Sequence, residues 1–286
     1  MDKSLPHQQS LMAETRSLLE RYGLAARKSL GQNFLIDRGV LEKIVRAADV
    51  GPVETVIEVG PGLGVLTRAL AAQAGKVIAV ELDRGLAGLL RETLGDKTNV
   101  EIISGDILET PVADLVGQAP YKVVANLPYY ITSPVLRHFL EGAHQPLSLT
   151  VMVQKEVARQ ITASPPEMSL LALGVQFFGR PKIVGYVAAG CFHPAPKVDS
   201  AILHISVKEQ RELSPEQEKL FFTLARAGFG TRRKQLANAL AGGLKLEKAE
   251  VLELLQLAGV DPARRAETLT IEEWLKLTKA QDERHV

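Results

Sequence analysis

Between residues 53 and 125 the chain alternates runs rich in β-branched residues with runs of helical spacing: TVIEVG, VLTRALAAQ, KVIAVELD, RGLAGLLRETL, VEIISGD and YKVVAN. No other feature restricts the possible folds as much. Apolar strands separated by helices pair in parallel through right-handed crossovers, which places helices on both faces of an open sheet. The expected fold class is therefore α/β. Further strands are predicted over LSLTVMVQ (147–154), PKIVGYVAAG (181–190) and SAILHISV (200–207), the last short and alternating as an edge hairpin strand would be. Ahead of the sheet, two helices are expected to flank a glycine-containing loop at 28–37. After Val207 the pattern changes to successive amphipathic helices, with Ser214 as an N-cap, Pro215 at the first helical position and Gly242–Gly243 as a break. This divides the chain into an α/β domain with an N-terminal helical extension, 1–210, and a small helical domain, 211–286.

Composition narrows the class of function. Hydrophobic residues make up 46% and charged residues 23%, the balance of a globular chain with a sizeable core. The single cysteine, Cys191, can form no intrachain disulfide and leaves no cysteine cluster for zinc or an iron–sulfur centre, so no metal is expected and a reducing cytoplasm fits. The first residues hold no apolar core of signal-peptide length, and no apolar run is long enough to span a bilayer. Neither export nor membrane insertion is expected. With 34 Lys+Arg against 33 Asp+Glu the net charge is +1, so any site for a polyanion has to be local.

Ligands of a doubly wound sheet sit outside the carboxyl ends of its strands, which makes those four exits the place to look. The first strand runs into Glu58-Val-Gly60-Pro-Gly62-Leu-Gly64, where missing side chains let the backbone approach a ligand before a helix begins; Val65 stands where a dinucleotide fingerprint has its last glycine. The second ends at Glu81, about twenty residues after Gly60, the spacing at which a carboxylate accepts hydrogen bonds from ribose hydroxyls. The third ends in Ser104-Gly105-Asp106, where a carboxylate can accept from an exocyclic amine or cap a turn. The fourth ends in Asn126-Leu127-Pro128-Tyr129: an amide oxygen, a backbone carbonyl and a ring on which a base can stack. Two acceptors on the hydrogens of an aromatic amine favour a pyramidal nitrogen and release its lone pair for attack, while stacking holds the base in line. A proline turn with a tyrosine capping the core is the alternative.

In chain order, KSLGQNFLID (28–37), EVGPGLGVLT (58–67), VELD (80–83), SGDIL (104–108), NLPYYITSPV (126–135), FHPAPKVDS (192–200) and GFGTRRKQLANAL (228–240) resemble the successive motifs of the ribosomal RNA adenine N6,N6-dimethyltransferases. The resemblance runs over nearly the whole chain, with Ala195 where the family commonly has a proline. It implies a class I S-adenosylmethionine-dependent methyltransferase: a Rossmann-like, seven-stranded, mostly parallel sheet followed by a small all-helical domain. It further implies S-adenosylmethionine as cofactor, contacted by Asn33, Leu35, Gly60, Gly62, Glu81, Asp106 and Asn126. Asn126, Leu127, Pro128 and Tyr129 would receive the target adenine, with Phe192 on the opposite face of the base. Arg226, Arg232, Arg233 and Lys234 would contact RNA phosphates, with Arg27, Lys28 and Arg38 as weaker candidates. The implied substrate is a pair of adjacent adenines in the 3′-terminal hairpin loop of 16S ribosomal RNA, in the small subunit or its precursor, and a monomer is expected. Two rivals stand beside this: the related large-subunit (23S) methyltransferase, and a non-catalytic assembly or nucleic-acid-binding factor on the same fold.

Overall fold

The computed structural model describes residues 10–27 and 30–284. They form strands β1 (Phe34–Leu35), β2 (Thr55–Val59), β3 (Lys76–Glu81), β4 (Val100–Ser104), β5 (Tyr121–Asn126), β6 (Ser148–Gln154), β7 (Gly179–Val187), β8 (Phe192–His193) and β9 (Ser200–Val207). Seven of them make one sheet in the order β4-β3-β2-β5-β6-β9-β7. From β4 to β6 the neighbours are parallel, and β9 is antiparallel to β6. The remaining two, β1 and β8, pair antiparallel, with Leu35 opposite Phe192.

The central strands are Val- and Ile-rich because helices cover both of their faces, so side chains pointing either way are buried. Val56, Ile57, Ile78, Val123, Val124 and Val151 are fully buried. Each such side chain stabilises the fold by about 1.5–3 kcal/mol relative to exposure. Crossover helices Val65–Ala71 and Arg84–Leu94 carry the chain from β2 outward to β4. The chain then returns to β5 beside β2 and proceeds the other way. This reversal of strand order opens a crevice at the carboxyl ends of β2 and β5. SAILHISV departs from its expected place: β9 lies between β6 and β7, and its first four residues are all buried. Its alternation is weak because an inner strand has no solvent face to mark.

The chain divides into two compact units, 1–158 with 182–207, and 159–181 with 208–286. The second unit thus takes a segment, 159–181, that the sequence division at 210/211 assigns to the first domain. The reason is aromatic. Phe177 and Phe178, at the end of helix Leu170–Phe178, pack their rings against Phe221 and Phe222 of helix Pro215–Phe229. That latter helix starts as expected, with Ser214 and Gln217 forming a reciprocal capping box and Pro215 at its first turn. Gly242 and Gly243 do not break the chain; both lie inside helix Leu236–Leu244. A Cβ on Gly243 would stand 2.6 Å from that of Ala227, so this glycine serves close helix packing.

Candidate active site

The turn after β2 is built on glycines with positive φ, 62° at Gly62 and 77° at Gly64. A Cβ at Gly64 would meet Leu90 at 2.8 Å, and one at Gly62 would press on the Phe34 ring at 3.3 Å. The left-handed backbone angle strains any side chain at either position, and the close neighbours leave little room for one. The carboxylate of Glu81 at the end of β3 holds this turn: Oε2 accepts the Gly62 N–H at 3.0 Å and Oε1 the Asp83 N–H at 2.9 Å. Burial pushes the Glu81 carboxyl up from its ordinary value, and these two backbone donors oppose the shift. Each oxygen keeps lone-pair capacity for a further donor.

Asp106, past β4, does two jobs, since Oδ1 accepts the Leu108 N–H at 2.9 Å while the residue also lines the crevice. At the end of β5 the amide of Asn126 is oriented by the N-terminal loop: Nδ2 donates to the Asn33 carbonyl at 3.1 Å. That commits the nitrogen and leaves Oδ1 as the atom able to accept. Leu127 is buried, and its N–H donates to the Met152 carbonyl at 3.3 Å, tying the turn to β6. The Pro128 carbonyl accepts from Ile131, closing the single turn Tyr129–Ile131. The Tyr129 hydroxyl lies 2.7 Å from Oγ of Ser200, a fully buried residue that opens β9. Burial pushes the Tyr129 phenol up.

The loop ahead of β1 closes over these strand ends. Gly31, at φ 62°, passes within 3.4 Å of Pro128 and the Tyr130 ring, measured from where its Cβ would be. Arg27 and Gln32 both reach Asp83, at 3.1 Å and 3.4 Å. Between loop and strand ends lies a cavity of ≈ 280 Å³. Its walls include Asn33, Leu35, Gly60, Gly62, Glu81, Asp106, Asn126, Leu127, Pro128 and Tyr129, so every nominated residue of the cofactor and strand-end groups meets there. Glu58 belongs to the same wall and was not nominated. It is wholly buried, burial raises its carboxyl to about 8, and Oε2 has no hydrogen-bond partner among the described residues. The signal was present in the sequence: a carboxylate inside the apolar strand TVIEV.

The sequence model of the family described as "Ribosomal RNA adenine dimethylase" matches residues 23–283. The chain belongs to this family. A "Ribosomal RNA small subunit methyltransferase A" of Dehalococcoides mccartyi strain CBDB1 is 56% identical over 269 residues, covering 94% of this chain and 92% of that protein. One of the same name from Moorella thermoacetica is 45% identical, covering 93% and 96%. Among solved structures, a dimethyladenosine transferase from Plasmodium falciparum superposes with a TM-score of 0.76 at 25% identity, over 88% of this chain and 98% of that one. The 23S rRNA methyltransferase ErmE superposes with a TM-score of 0.71 at 30% identity, over 87% and 100%. The class I methyltransferase fold expected from the sequence is thereby established, with its mostly parallel seven-stranded sheet and helical C-terminal portion.

For this adenine dimethylase chain two groups of nominated residues lie away from the cavity. Phe192 is 3% exposed, paired with Leu35 and packed among Ile44, Val45 and Ile202, and it is not part of the cavity wall. Opposite Leu35 on a two-residue strand, its ring is part of the hydrophobic core. Arg226, Arg232, Arg233 and Lys234 belong to the second unit, at and beyond the end of helix Pro215–Phe229, and all four are exposed. Arg38 is exposed at the start of its helix, and Lys28 lies outside the described residues.

Proposed function

We propose that the cavity binds S-adenosylmethionine and that the protein transfers methyl groups from it to N6 of adenine in ribosomal RNA, twice per base. The residues fit such a cofactor: an anchored acceptor at Glu81, a left-handed glycine turn, and a buried carboxyl at Glu58 whose Oε2 lacks a partner beside the cavity. The cofactor, when bound, supplies an electrophilic methyl group on a positively charged sulfur. All other work falls to the chain. Glu81 accepts ribose hydroxyls and Asp106 an exocyclic amine of the cofactor. Oδ1 of Asn126 accepts a hydrogen of the target N6 as that nitrogen pyramidalises, and the Tyr129 ring, held through Ser200, stacks on the base. The substrate-side reading is carried by one observation: the Asn126 amide is oriented by Asn33, which leaves an acceptor at the strand end.

Relatives at 41–56% identity share the small-subunit name, whereas the 23S rRNA methyltransferase structure is 30% identical. This favours small-subunit ribosomal RNA, with adjacent hairpin-loop adenines as the target, over the large-subunit alternative. The intact Asn126–Tyr129 turn favours catalysis over a purely binding role. Single-turnover methylation of unmodified small-subunit particles tests the assignment. Asn126→Ala is expected to cut the chemical step by at least a hundredfold, because it deletes an interaction strongest in the transition state. Asn126→Asp keeps an acceptor for N6 but turns its second oxygen toward the Asn33 carbonyl, so partial activity with weakened cofactor binding is expected. Wild-type rates in Asn126→Ala would reduce the strand end to a turn.

A further inference from the structure

Lys155 begins the residues that follow β6, at the same sheet edge as Asn126, and opens the helix Lys155–Ile161. A positive charge there opposes the helix dipole, so helix stability does not account for it. Its surroundings hold it in place. The Lys155 N–H donates to the Asp199 carbonyl at 3.0 Å, its ammonium lies 3.8 Å from Oδ2 of Asp199, and the same ammonium sits 5.3 Å above the centre of the Tyr186 ring. Asp199 is itself tied down, with Oδ1 accepting the Ala189 N–H at 3.2 Å. The next residue, Ser200, is the one bonded to the Tyr129 hydroxyl. A continuous set of contacts therefore runs from the ring assigned to the target base to a lysine whose side chain is 36% exposed.

At 3.8 Å the carboxylate is beyond hydrogen-bond distance, so among the described residues the ammonium keeps its donors while its charge faces a carboxylate that does not hydrogen-bond it. A ring face attracts a cation but accepts no strong hydrogen bond. Together these fix where the charge is and leave it able to take a ligand with acceptor oxygens. Lys197, exposed on the same loop, adds positive potential. We propose that Lys155 is the anchor for a backbone phosphate of the RNA strand flanking the target adenine, presented by the face of Tyr186 and by Asp199. Such an anchor answers a geometric need. A base extruded into the pocket drags its own phosphates to the mouth, and gripping one of them there sets how far the nucleotide can enter. The inference rests on the reading of Tyr129 as the base-stacking residue.

The test is methylation kinetics of the full chain on unmodified small-subunit particles at several salt concentrations, with calorimetric titration of S-adenosylmethionine as the check of folding and of the cofactor site. Lys155→Gln keeps the backbone bond to Asp199 and is expected to raise KM for the particle about tenfold with cofactor affinity unchanged. The slope of log KM against log salt should fall by about 0.7, the contribution of one contact on single-stranded nucleic acid. Tyr186→Leu should shift both quantities the same way but less, and Tyr186→Phe, which retains the ring face, should match wild type. An unchanged salt slope in Lys155→Gln overturns the proposal, as does a Tyr186→Phe as defective as Tyr186→Leu. If wild type itself methylates no adenine in the particle, it is the functional reading that fails, and the two failures are distinct.

Discussion

Glu58 is the residue whose chemistry is least like its ordinary behaviour. Burial on the cavity wall raises its carboxyl from 4.5 to about 8, with the neighbouring Glu81 adding to the effect and Thr67 opposing it. The sign follows from proton counting. Between these two values the folded chain holds a proton that the unfolded chain has lost, so the stabilisation is complete below 4.5 and lost as pH rises through about 8. The cofactor-free protein is therefore expected to lose stability from pH 5 to pH 8, and Glu58→Gln, neutral throughout, should flatten that dependence. Chemical denaturation of both proteins across this range is the measurement; parallel curves would mean that Glu58 is ionised in the fold. Glu81 shares the direction of shift, so a residual slope of the same sign belongs to it. Residue type explains what could be read in advance. Glu81, Asp106 and Asn126 stand at strand exits, where polar groups interrupt apolar runs. Glu58 was visible only as a carboxylate inside an apolar strand, its raised carboxyl being set by the burial that the fold creates, and Ser200 opens another strand, β9, where its role comes from Tyr129, 71 positions away.

At the scale of elements, the parallel half of the sheet was legible because each β–helix–β unit carries its own period and must turn right-handed. Two features escaped because they depend on partners remote in sequence. The inner position of β9 is decided by β6, more than forty residues earlier, with Met152 opposite Ile202. The glycine pair at 242–243 reads as a helix break by propensity, yet packing decides otherwise: a Cβ at 243 would lie 2.6 Å from Ala227, whereas one at 242 would meet no atom of the described residues within 4 Å. The two positions should therefore respond oppositely to the same change. Alanine gains up to about 1 kcal/mol of helix propensity at either. At 243 the clash with a neighbouring backbone and Cβ adds a cost of about 1–3 kcal/mol. Gly242→Ala is expected to stabilise the full chain and Gly243→Ala to destabilise it in denaturant titrations. Equal effects would show that Ala227 moves aside freely.

At the scale of the whole molecule, the proposed cofactor cavity and the proposed RNA contacts fall on different parts of the chain. The cavity is lined entirely by residues of the unit made of 1–158 and 182–207, while Arg226, Arg232, Arg233 and Lys234 belong to the unit made of 159–181 and 208–286. Near-zero net charge means that association with RNA cannot come from a general field and depends on such local clusters. Arg232 and Arg233 sit between helices Pro215–Phe229 and Leu236–Leu244, on a segment whose side chains contribute nothing to the aromatic core formed by Phe177, Phe221 and Phe222. Replacing both by alanine is therefore expected to leave the fold and S-adenosylmethionine affinity intact while weakening RNA binding. Because phosphate contacts act by releasing counterions, each lost contact should remove about 0.9 from the salt slope on duplex and about 0.7 on single strands, irrespective of sequence. Binding titrations at several salt concentrations, with denaturant titration of the full chain beside them, separate this from a fold defect, which would lower stability as well. Combining the pair with Lys155→Gln extends the logic: anchors on separate units that grip the same RNA at once should subtract independently from the slope. A triple variant no worse than the double would mean that the two anchors never hold one RNA together.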